Sequence, residues 1–311
     1  MGSIIAYEYI THAHLLVSDE DAADFLQSQF TNELRPFGAG RCTYGLWLDV
    51  KGKVLADSFV LCEGEESFRL ISETSEASIL ADKFEKHIIA DDVVINIEGA
   101  LTGFALVGSG LGDVLAELGL EIPAVGQFVA KADLRVFIGR RSKDASCEVI
   151  CLSEPAVARV KAVLASQVVA LVDRNRVESK RIEAGYPLIP QEIGPTDLPG
   201  EGGLQVDAVS FTKGCYLGQE VVARMHNVGR PQRALFVIRG EGAVPECPLA
   251  IYNRESKQVG ELRSASVVGN GWLGVALMKH RYVSVGDEFV VGGFAISVER
   301  YFREPKGLED E

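Results

Sequence analysis

The segment from residue 231 to residue 301 constrains the fold of this chain more than any other part. Its apolar and polar residues alternate in short runs that Gly, Asn and Asp turns separate, namely RALFVIR, PLAIYN, QVGELRSASVV, GWLGVALM, EFVVGG and FAISVERYF. Such alternation is typical of strands with one buried face, and closing the strands into a barrel removes their exposed edges. We therefore predict a small C-terminal β-barrel over residues 231–305.

The preceding residues mix helical and strand periodicity. Ser18 stands before an acidic segment with helical spacing, DEDAADFLQSQF, which predicts a capped amphipathic helix. Strand patterns fill residues 43–71 with a turn at Lys51-Gly52, and helices are expected over residues 74–89 and 154–166. Helix and strand units in this order favour an α+β fold with a ferredoxin-like part.

The region 172–203 contains the segment RIEAGYPLIPQEIGPTDLPGEGG, which is rich in Pro, Gly and charged residues. The Pro and Gly residues are too frequent for long helices or strands, so we predict a structured connecting region. Long loops of this kind are often functional.

Composition excludes several classes of protein. With 47% hydrophobic and 24% charged residues the chain has ample material for a core, so it is not a disordered protein. Its net charge of −13 argues against direct nucleic-acid binding and against binding to anionic membranes. Six scattered cysteines, no basic leader and no apolar stretch approaching roughly 18 residues predict a protein of the reducing cytoplasm.

The densest group of reactive side chains lies in the segment FTKGCYLGQEVVARMHNVGRPQR. From Lys213 onward it has four basic residues against one acid, a local charge of +3 inside an acidic chain. This reversal suits an anionic small ligand, and the basic residues are Lys213, Arg224, Arg230 and Arg233.

Cys215 follows the cation of Lys213 and the small residue Gly214, which favours a reactive thiolate. The thiol could be nucleophilic, redox-active or part of a polar contact surface. Gln219 and Glu220 could form paired hydrogen bonds with a heterocycle. A surface turn that leads into a helix explains the same residues without any ligand.

The order KGCYLGQEVVAR resembles the signature of the YgfZ family of folate-binding proteins, which are similar to the aminomethyltransferase (T protein) of the glycine cleavage system. The segments DAADFLQSQFTNEL, KGKVLADSFV, RIEAGYPLIPQE and VGELRSAS also resemble family landmarks in family order. The resemblance spans about residues 11–301 and is weakest over residues 89–166.

This resemblance implies a GcvT-like ring of three lobes around a channel that holds tetrahydrofolate or a derivative. Residues 1–230 would form the folate-binding region, with outer parts at about 1–50 and 170–230 and the ferredoxin-like part at about 51–169. The barrel would close one side, and an acidic tail would occupy residues 306–311.

Carried over to matching positions, the resemblance also implies site residues. Cys215 and Asp57 would be catalytic, and the implied folate-binding residues are Asn32, Glu183, Lys213, Gly214, Tyr216, Gly218, Gln219, Glu220 and Arg224. Glu183 would bind the pterin, or else form a surface ion pair with Arg181. Asn32 would line the channel, or else cap a helix. No metal site is implied.

Asp57 lies where the aminomethyltransferases carry two adjacent acids, but Ala56 replaces one of them, which weakens the case for aminomethyl transfer. The expected function is a folate-binding accessory protein that supports iron–sulfur clusters in client enzymes, including tRNA-modifying ones. Its partners would be folate, held at its glutamyl tail by Arg224, Arg230 or Arg233, and iron–sulfur client or assembly proteins. The alternatives are a folate-dependent one-carbon transferase that uses Asp57 and a ligand-free interaction scaffold.

Overall fold

A computed structural model describes residues 3–229 and 231–303 of the chain. Within these residues the chain forms two open sheets, a closed barrel and six α-helices. Arg230 and the predicted acidic tail at 306–311 lie outside the described residues.

The first open sheet has five strands and carries two helices. The strand order is β3-β4-β5-β2-β6. The strands are β2 (Ala13–Ser18), β3 (Cys42–Leu48), β4 (Val54–Gly64), β5 (Ser67–Ser72) and β6 (Val94–Ile97), and the helices are α1 (Ala22–Gln29) and α2 (Ala77–Glu85). Apolar residues of α1 and α2, such as Leu26 and Phe84, pack with Trp47 of the sheet in one core.

The second open sheet has six strands in the order β11-β1-β7-β10-β9-β8. Its strands are β1 (Ile4–Ile10), β7 (Thr102–Gly108), β8 (Phe128–Lys131), β9 (Leu134–Ile138), β10 (Ser146–Cys151) and β11 (Ala170–Leu171). The helices α3 (Leu111–Glu117) and α4 (Glu154–Ser166) pack on it in a separate core. The predicted helix over residues 154–166 is confirmed, and the Ser153 side chain accepts a hydrogen bond at its start.

The C-terminal barrel is confirmed. It closes in the order β12-β15-β14-β13-β16-β17. The strands are β12 (Arg233–Glu241), β13 (Leu249–Tyr252), β14 (Gln258–Val268), β15 (Gly271–Lys279), β16 (Glu288–Val291) and β17 (Phe294–Tyr301). Trp272 and Phe236 are fully buried and belong to the core of the barrel.

Three expectations differ from the structure. Ser18 ends β2 and does not cap α1, whose N-cap is Asp21. The connecting region predicted to have no long elements contains the 11-residue helix α5 (Arg174–Ala184), which the sequence hides because only Val177, Arg181 and Ile182 of α5 are buried. The expected division near residue 50 falls within the β3–β4 hairpin, whose strands pair with each other on both sides of it.

A further core joins the parts of the molecule that surround residues 210–218, here called the KGC segment. It combines Leu46 and Val54 of the β3–β4 hairpin with Val222 of the helix α6 (Gln219–Val228) and with Val237 and Val275 of the barrel. This core holds the KGC segment between the first sheet and the barrel. Among the described residues, no helix is long and apolar enough to cross a membrane.

Candidate functional site

A central cavity lies where both open sheets meet the segment after α5. It is lined by Asp57 of β4, by Phe137 and Arg140 at the end of β9, and by Tyr186 after α5. Its empty space, counted to the mouth and including the open solvent there, is about 610 Å³.

Asp57 is held by several hydrogen bonds in this cavity. Its Oδ1 accepts hydrogen bonds from Ser72 Oγ (2.9 Å) and Ser75 Oγ (2.6 Å), and its Oδ2 accepts one from Tyr44 Oη (2.9 Å). Burial raises the pKa of Asp57, although these hydroxyl bonds and the Arg140 guanidinium oppose the shift. The carboxyl group is therefore oriented for chemistry and holds a proton more readily than an exposed aspartate.

Arg140 also lines the cavity. Its guanidinium stacks on Tyr44, 3.7 Å from the ring centroid, and on Tyr186, 4.6 Å from the centroid. Nη1 donates a hydrogen bond to the carboxylate of Asp207, whereas Nη2 is buried and has no partner among the described residues. A buried donor without a partner is costly, and an acceptor on a ligand would satisfy it.

A second group of charges also lines the cavity. Arg141 pairs with Glu148 at 2.7 Å and with Glu73 at 2.6 Å, and Tyr9 Oη donates to Glu148 at 2.8 Å. Sequence reasoning missed these residues and Arg140, because most of their partners lie far away along the chain. The one available signal was an adjacent pair of arginines in an acidic chain.

Lys213 ends inside the protein. Its Nζ donates to the backbone carbonyls of Gln27 (2.8 Å), Phe30 (2.6 Å) and Asn32 (2.8 Å) at the C-terminal end of α1. A cation is favourable at this end of a helix, where carbonyl groups lack partners within the helix. Burial lowers the pKa of Lys213 to about 8.

The whole KGC segment wraps around the same end of α1. Ser210 N donates to the carbonyl of Thr31 (2.9 Å), and Leu217 N donates to the carbonyl of Ser28 (3.0 Å). Gly218 has a φ of +84°, and a Cβ added there would lie 2.7 Å from the carbonyl oxygen of Asp49. The KGC segment and the β3–β4 turn can approach this closely only because position 218 has no side chain.

Cys215 is exposed on this well-anchored segment, and its thiol is free. The five other cysteines are buried or partly buried. A Cβ added at the neighbouring Gly214 would meet no heavy atom of the described residues within 4 Å, so the space beside Gly214 is open as well. The geometry presents the thiol outward, within reach of a partner molecule.

Asn32 connects the KGC segment with the residues of the central cavity. Its backbone carbonyl accepts from Lys213, while its Nδ2 donates to the carbonyls of Tyr44 (2.8 Å) and Asp207 (3.1 Å). Tyr44 in turn contacts Asp57 and Arg140. Asn32 is not the C-cap of α1, which is Phe30.

The remaining predicted residues are dispersed. Glu183 is exposed at the end of α5 and does not pair with Arg181, which binds Glu178 and Glu192. Glu220 and Arg224 are exposed on α6, and Gln219 is partly buried at its start. Tyr216 is buried, and its hydroxyl has no partner among the described residues.

The predicted basic patch is only partly available for an anion. The Lys213 ammonium is fully engaged by backbone carbonyls, and Arg233 forms ion pairs with Asp197 (3.1 Å) and Glu201 (2.7 Å). Arg224 is the basic residue of the patch that stays exposed among those described.

Comparison with known proteins agrees with this architecture. The family model of the GCVT N-terminal domain matches residues 4–213. The tRNA-modifying protein YgfZ of Edwardsiella ictaluri is 30% identical over 226 residues, 72% of this chain and 67% of that protein. The mitochondrial iron–sulfur cluster assembly factor IBA57 of Mus musculus is 28% identical over 289 residues, 85% of this chain and 74% of that protein.

Aminomethyltransferases are also similar. The aminomethyltransferase of Bacillus cytotoxicus is 23% identical over 285 residues, 88% of this chain and 78% of that protein. The crystal structure of the glycine cleavage system aminomethyltransferase T from Bartonella henselae matches 97% of this chain and 88% of its own, with a TM-score of 0.80 and 19% identity. This structural match confirms the predicted GcvT-like fold.

Proposed function

The chain belongs to the GCVT N-terminal domain family, and from that premise we propose that it is a tetrahydrofolate-binding accessory protein. It supports the assembly or maintenance of iron–sulfur clusters in client enzymes, including tRNA-modifying ones. The names of its relatives support this function, since one is a tRNA-modifying protein and another an iron–sulfur cluster assembly factor. The observation that carries the folate part is the unpartnered Nη2 of Arg140, which lines the central cavity together with Asp57.

The residues of the cavity fit a pterin ring. A pterin is flat and presents N–H donors beside a carbonyl acceptor. The Oδ2 of Asp57 accepts one hydrogen bond, from Tyr44, and retains room for a second, while Arg140 Nη2 lacks an acceptor among the described residues. The rings of Phe59 and Phe137, with centroids 4.5 Å apart, supply apolar surface for the flat faces of a ligand.

Tetrahydrofolate, when bound, supplies nitrogen atoms that carry one-carbon units. The protein itself contributes orientation: Asp57 accepts from the ligand, Arg140 donates to it, and Tyr44 and Tyr186 keep the Arg140 guanidinium in place. Burial favours the protonated form of Asp57 by raising its pKa, so the same carboxyl group can also donate a proton.

Cys215 serves a different step in this proposal. Its exposure suits contact with a client or assembly protein, through redox chemistry or a transient thiol contact. The fixed position of the KGC segment on α1 keeps the thiol at a defined place on the surface. The location that the sequence predicts for this function is the cytoplasm.

Calorimetric titration with tetrahydrofolate and its 5-formyl form tests the cavity. We expect saturable binding that Arg140→Met weakens about tenfold or more, because a buried donor to the ligand is lost. Arg239→Met is the matched control, since Arg239 is on the barrel and pairs with Glu299. If Glu183→Gln lost binding while Arg140→Met bound normally, the pterin site would lie at α5 and not in the central cavity. If the unmodified chain bound no folate, the ligand-free scaffold would be favoured.

Complementation of a strain that lacks its own related protein tests Cys215. We expect Cys215→Ser to lose activity of an iron–sulfur tRNA-modifying enzyme, and Cys247→Ser, a partly buried cysteine, to retain it. Full activity of Cys215→Ser would overturn the role of the thiol while leaving folate binding intact.

The raised pKa of Asp57 favours a second function, a folate-dependent one-carbon transferase in which this carboxyl group exchanges a proton. In that case Asp57→Asn would lower turnover of a methyl or aminomethyl donor by about 10² or more with little effect on folate affinity. An unchanged rate would remove the transferase function.

A further inference from the structure

A second cavity lies beside the KGC segment, on the side of α6 that faces the barrel. Its walls are α6, through Val222 and Met225, and the 3₁₀ turn Pro199–Gly202. Leu235 of β12 and Phe211 contribute further apolar lining. Its empty space, counted to the mouth, is about 1100 Å³, larger than that of the central cavity.

Part of the apolar face of α6 lines this cavity. Val222 is the buried side chain of the helix among those described, although Val221, Ala223 and Met225 are also apolar. Most amphipathic helices bury such a face against their own core. Here Met225, whose thioether adapts to irregular partners, lines the cavity instead.

The charged groups of the cavity are compensated within the protein. Arg303 donates to both carboxylate oxygens of Asp207, at 2.8 and 2.9 Å, and Glu201 pairs with Arg233. A charged ligand would therefore lose hydration without gaining an opposite charge, so the cavity favours a neutral ligand.

One polar atom of the lining residues lacks a partner. Gln205 Oε1 is buried and accepts no hydrogen bond from any described residue. It faces Gly200 of the 3₁₀ turn, 3.9 Å from where a Cβ of that glycine would stand. A buried acceptor of this kind selects a ligand that carries a donor.

The lining also favours a flat ring. Gly200 lines one wall without a side chain, and the stacked rings of Phe211 and His226, with centroids 3.8 Å apart, also line the cavity. We propose that this cavity is a second binding site, for a neutral, flat aromatic molecule with one N–H donor that bonds to Gln205 Oε1.

Methyl NMR with indole and 1-methylindole tests this site on the full chain. The two probes have the same ring, but only indole has the N–H donor. The chain has three methionines, of which Met225 lines the cavity and Met278 is buried in the barrel core, so selective ¹³C-methyl labelling gives one reporter and one internal control.

We expect a saturable shift of the Met225 methyl signal with indole at about 1 mM, a typical affinity for so small a ligand, and no shift of Met278. The 1-methylindole should bind about five to ten times more weakly, because Gln205 Oε1 then stays unpaired. Indole-5-carboxylate should bind more weakly than indole, since its charge finds no partner.

The variant Gln205→Leu removes the acceptor, so it should bind indole and 1-methylindole with equal affinity. It should fold well, because the replaced oxygen has no hydrogen bond to lose among the described residues. The absence of any Met225 shift, equal affinity of the two indoles in the unmodified chain, or tighter binding of the carboxylate would each overturn the proposal. A Met225 shift that follows protein concentration alone would also overturn it, because a second copy of the chain would then fill the cavity.

Discussion

The two residues predicted to be catalytic, Asp57 and Cys215, lie in opposite surroundings. Asp57 is partly buried, accepts hydrogen bonds from three hydroxyl groups and lines the central cavity. Cys215 is exposed, and the space beside the adjacent Gly214 is open among the described residues. Asp57 can therefore act only on a molecule small enough to enter, whereas Cys215 can meet a macromolecule.

The difference also shows how the protein fixes each residue. Side-chain hydroxyls orient Asp57 directly. Cys215 is held indirectly, because Lys213 two residues earlier and Leu217 two residues later are bonded to the end of α1. The largest expected effect comes from the lysine that anchors the segment of the thiol.

Lys213→Met should destabilise the protein by about 3 kcal/mol, because it keeps the apolar stem but leaves three backbone carbonyls without their donor. Urea unfolding measures the loss of free energy. Arg224→Met, on the exposed face of α6, should change stability by less than about 0.5 kcal/mol. Equal effects of the two variants would mean that Lys213 does not anchor the segment.

Two glycines of the KGC segment differ in the space available for a side chain. Gly218→Ala should cost about 1–3 kcal/mol, since position 218 has a φ of +84° and a Cβ would lie 2.7 Å from the Asp49 carbonyl oxygen. Gly214→Ala should cost little, because the added Cβ would have no heavy atom of the described residues within 4 Å. Thermal unfolding of both variants checks the order, and a larger loss at Gly214 would contradict it.

The pH dependence of stability isolates the Lys213 ammonium. Burial lowers its pKa from 10.5 to about 8, so between these values the unfolded chain holds a proton that the folded chain has lost. Stability from this group therefore rises with pH across that window. The free-energy difference between the unmodified chain and Lys213→Met should grow from pH 8 to pH 10.5, and a difference that shrinks would contradict the burial of the charge.

Asp57 should show a small effect in the opposite region of the pH scale. Its pKa is raised above 3.8 by burial, so its contribution to stability is present below the unfolded pKa and is lost as pH rises through the folded pKa. Asp57→Asn should therefore gain melting temperature relative to the unmodified chain as the pH rises from about 4 to about 7.

The matched control for Asp57→Asn is Asp144→Asn. A hydrogen bond from Lys180 lowers the pKa of Asp144 below 3.8, so this variant should lose stability relative to the unmodified chain as pH rises to about 3.8 and should change little from there to pH 7. If Asp57→Asn also lost stability relative to the unmodified chain as pH rises, the environment assigned to Asp57 would be wrong.

Much of the architecture could be predicted from local patterns. Alternation after residue 231 predicted the closed barrel, and helical spacing predicted α4 with its observed bounds. The helix α5 escaped prediction because its buried face is short and contains an arginine, so no apolar stripe marks it. Its position depends on tertiary partners, namely Glu192 and the barrel strands that α5 contacts.

The sequence by itself determined the fold class, the family and the presence of a cysteine motif, because these depend on spacing and on order along the chain. The tertiary structure alone decided where the motif residues lie and what they contact. Lys213 could be a ligand-binding cation or an anchor, and only its distance to the carbonyls of α1 distinguishes the two. Asp57 lies in one open sheet and Arg140 shortly after a strand of the other, 83 positions apart in the sequence, yet both line the same cavity. Tertiary packing brings them together, and no local sequence pattern encodes that packing.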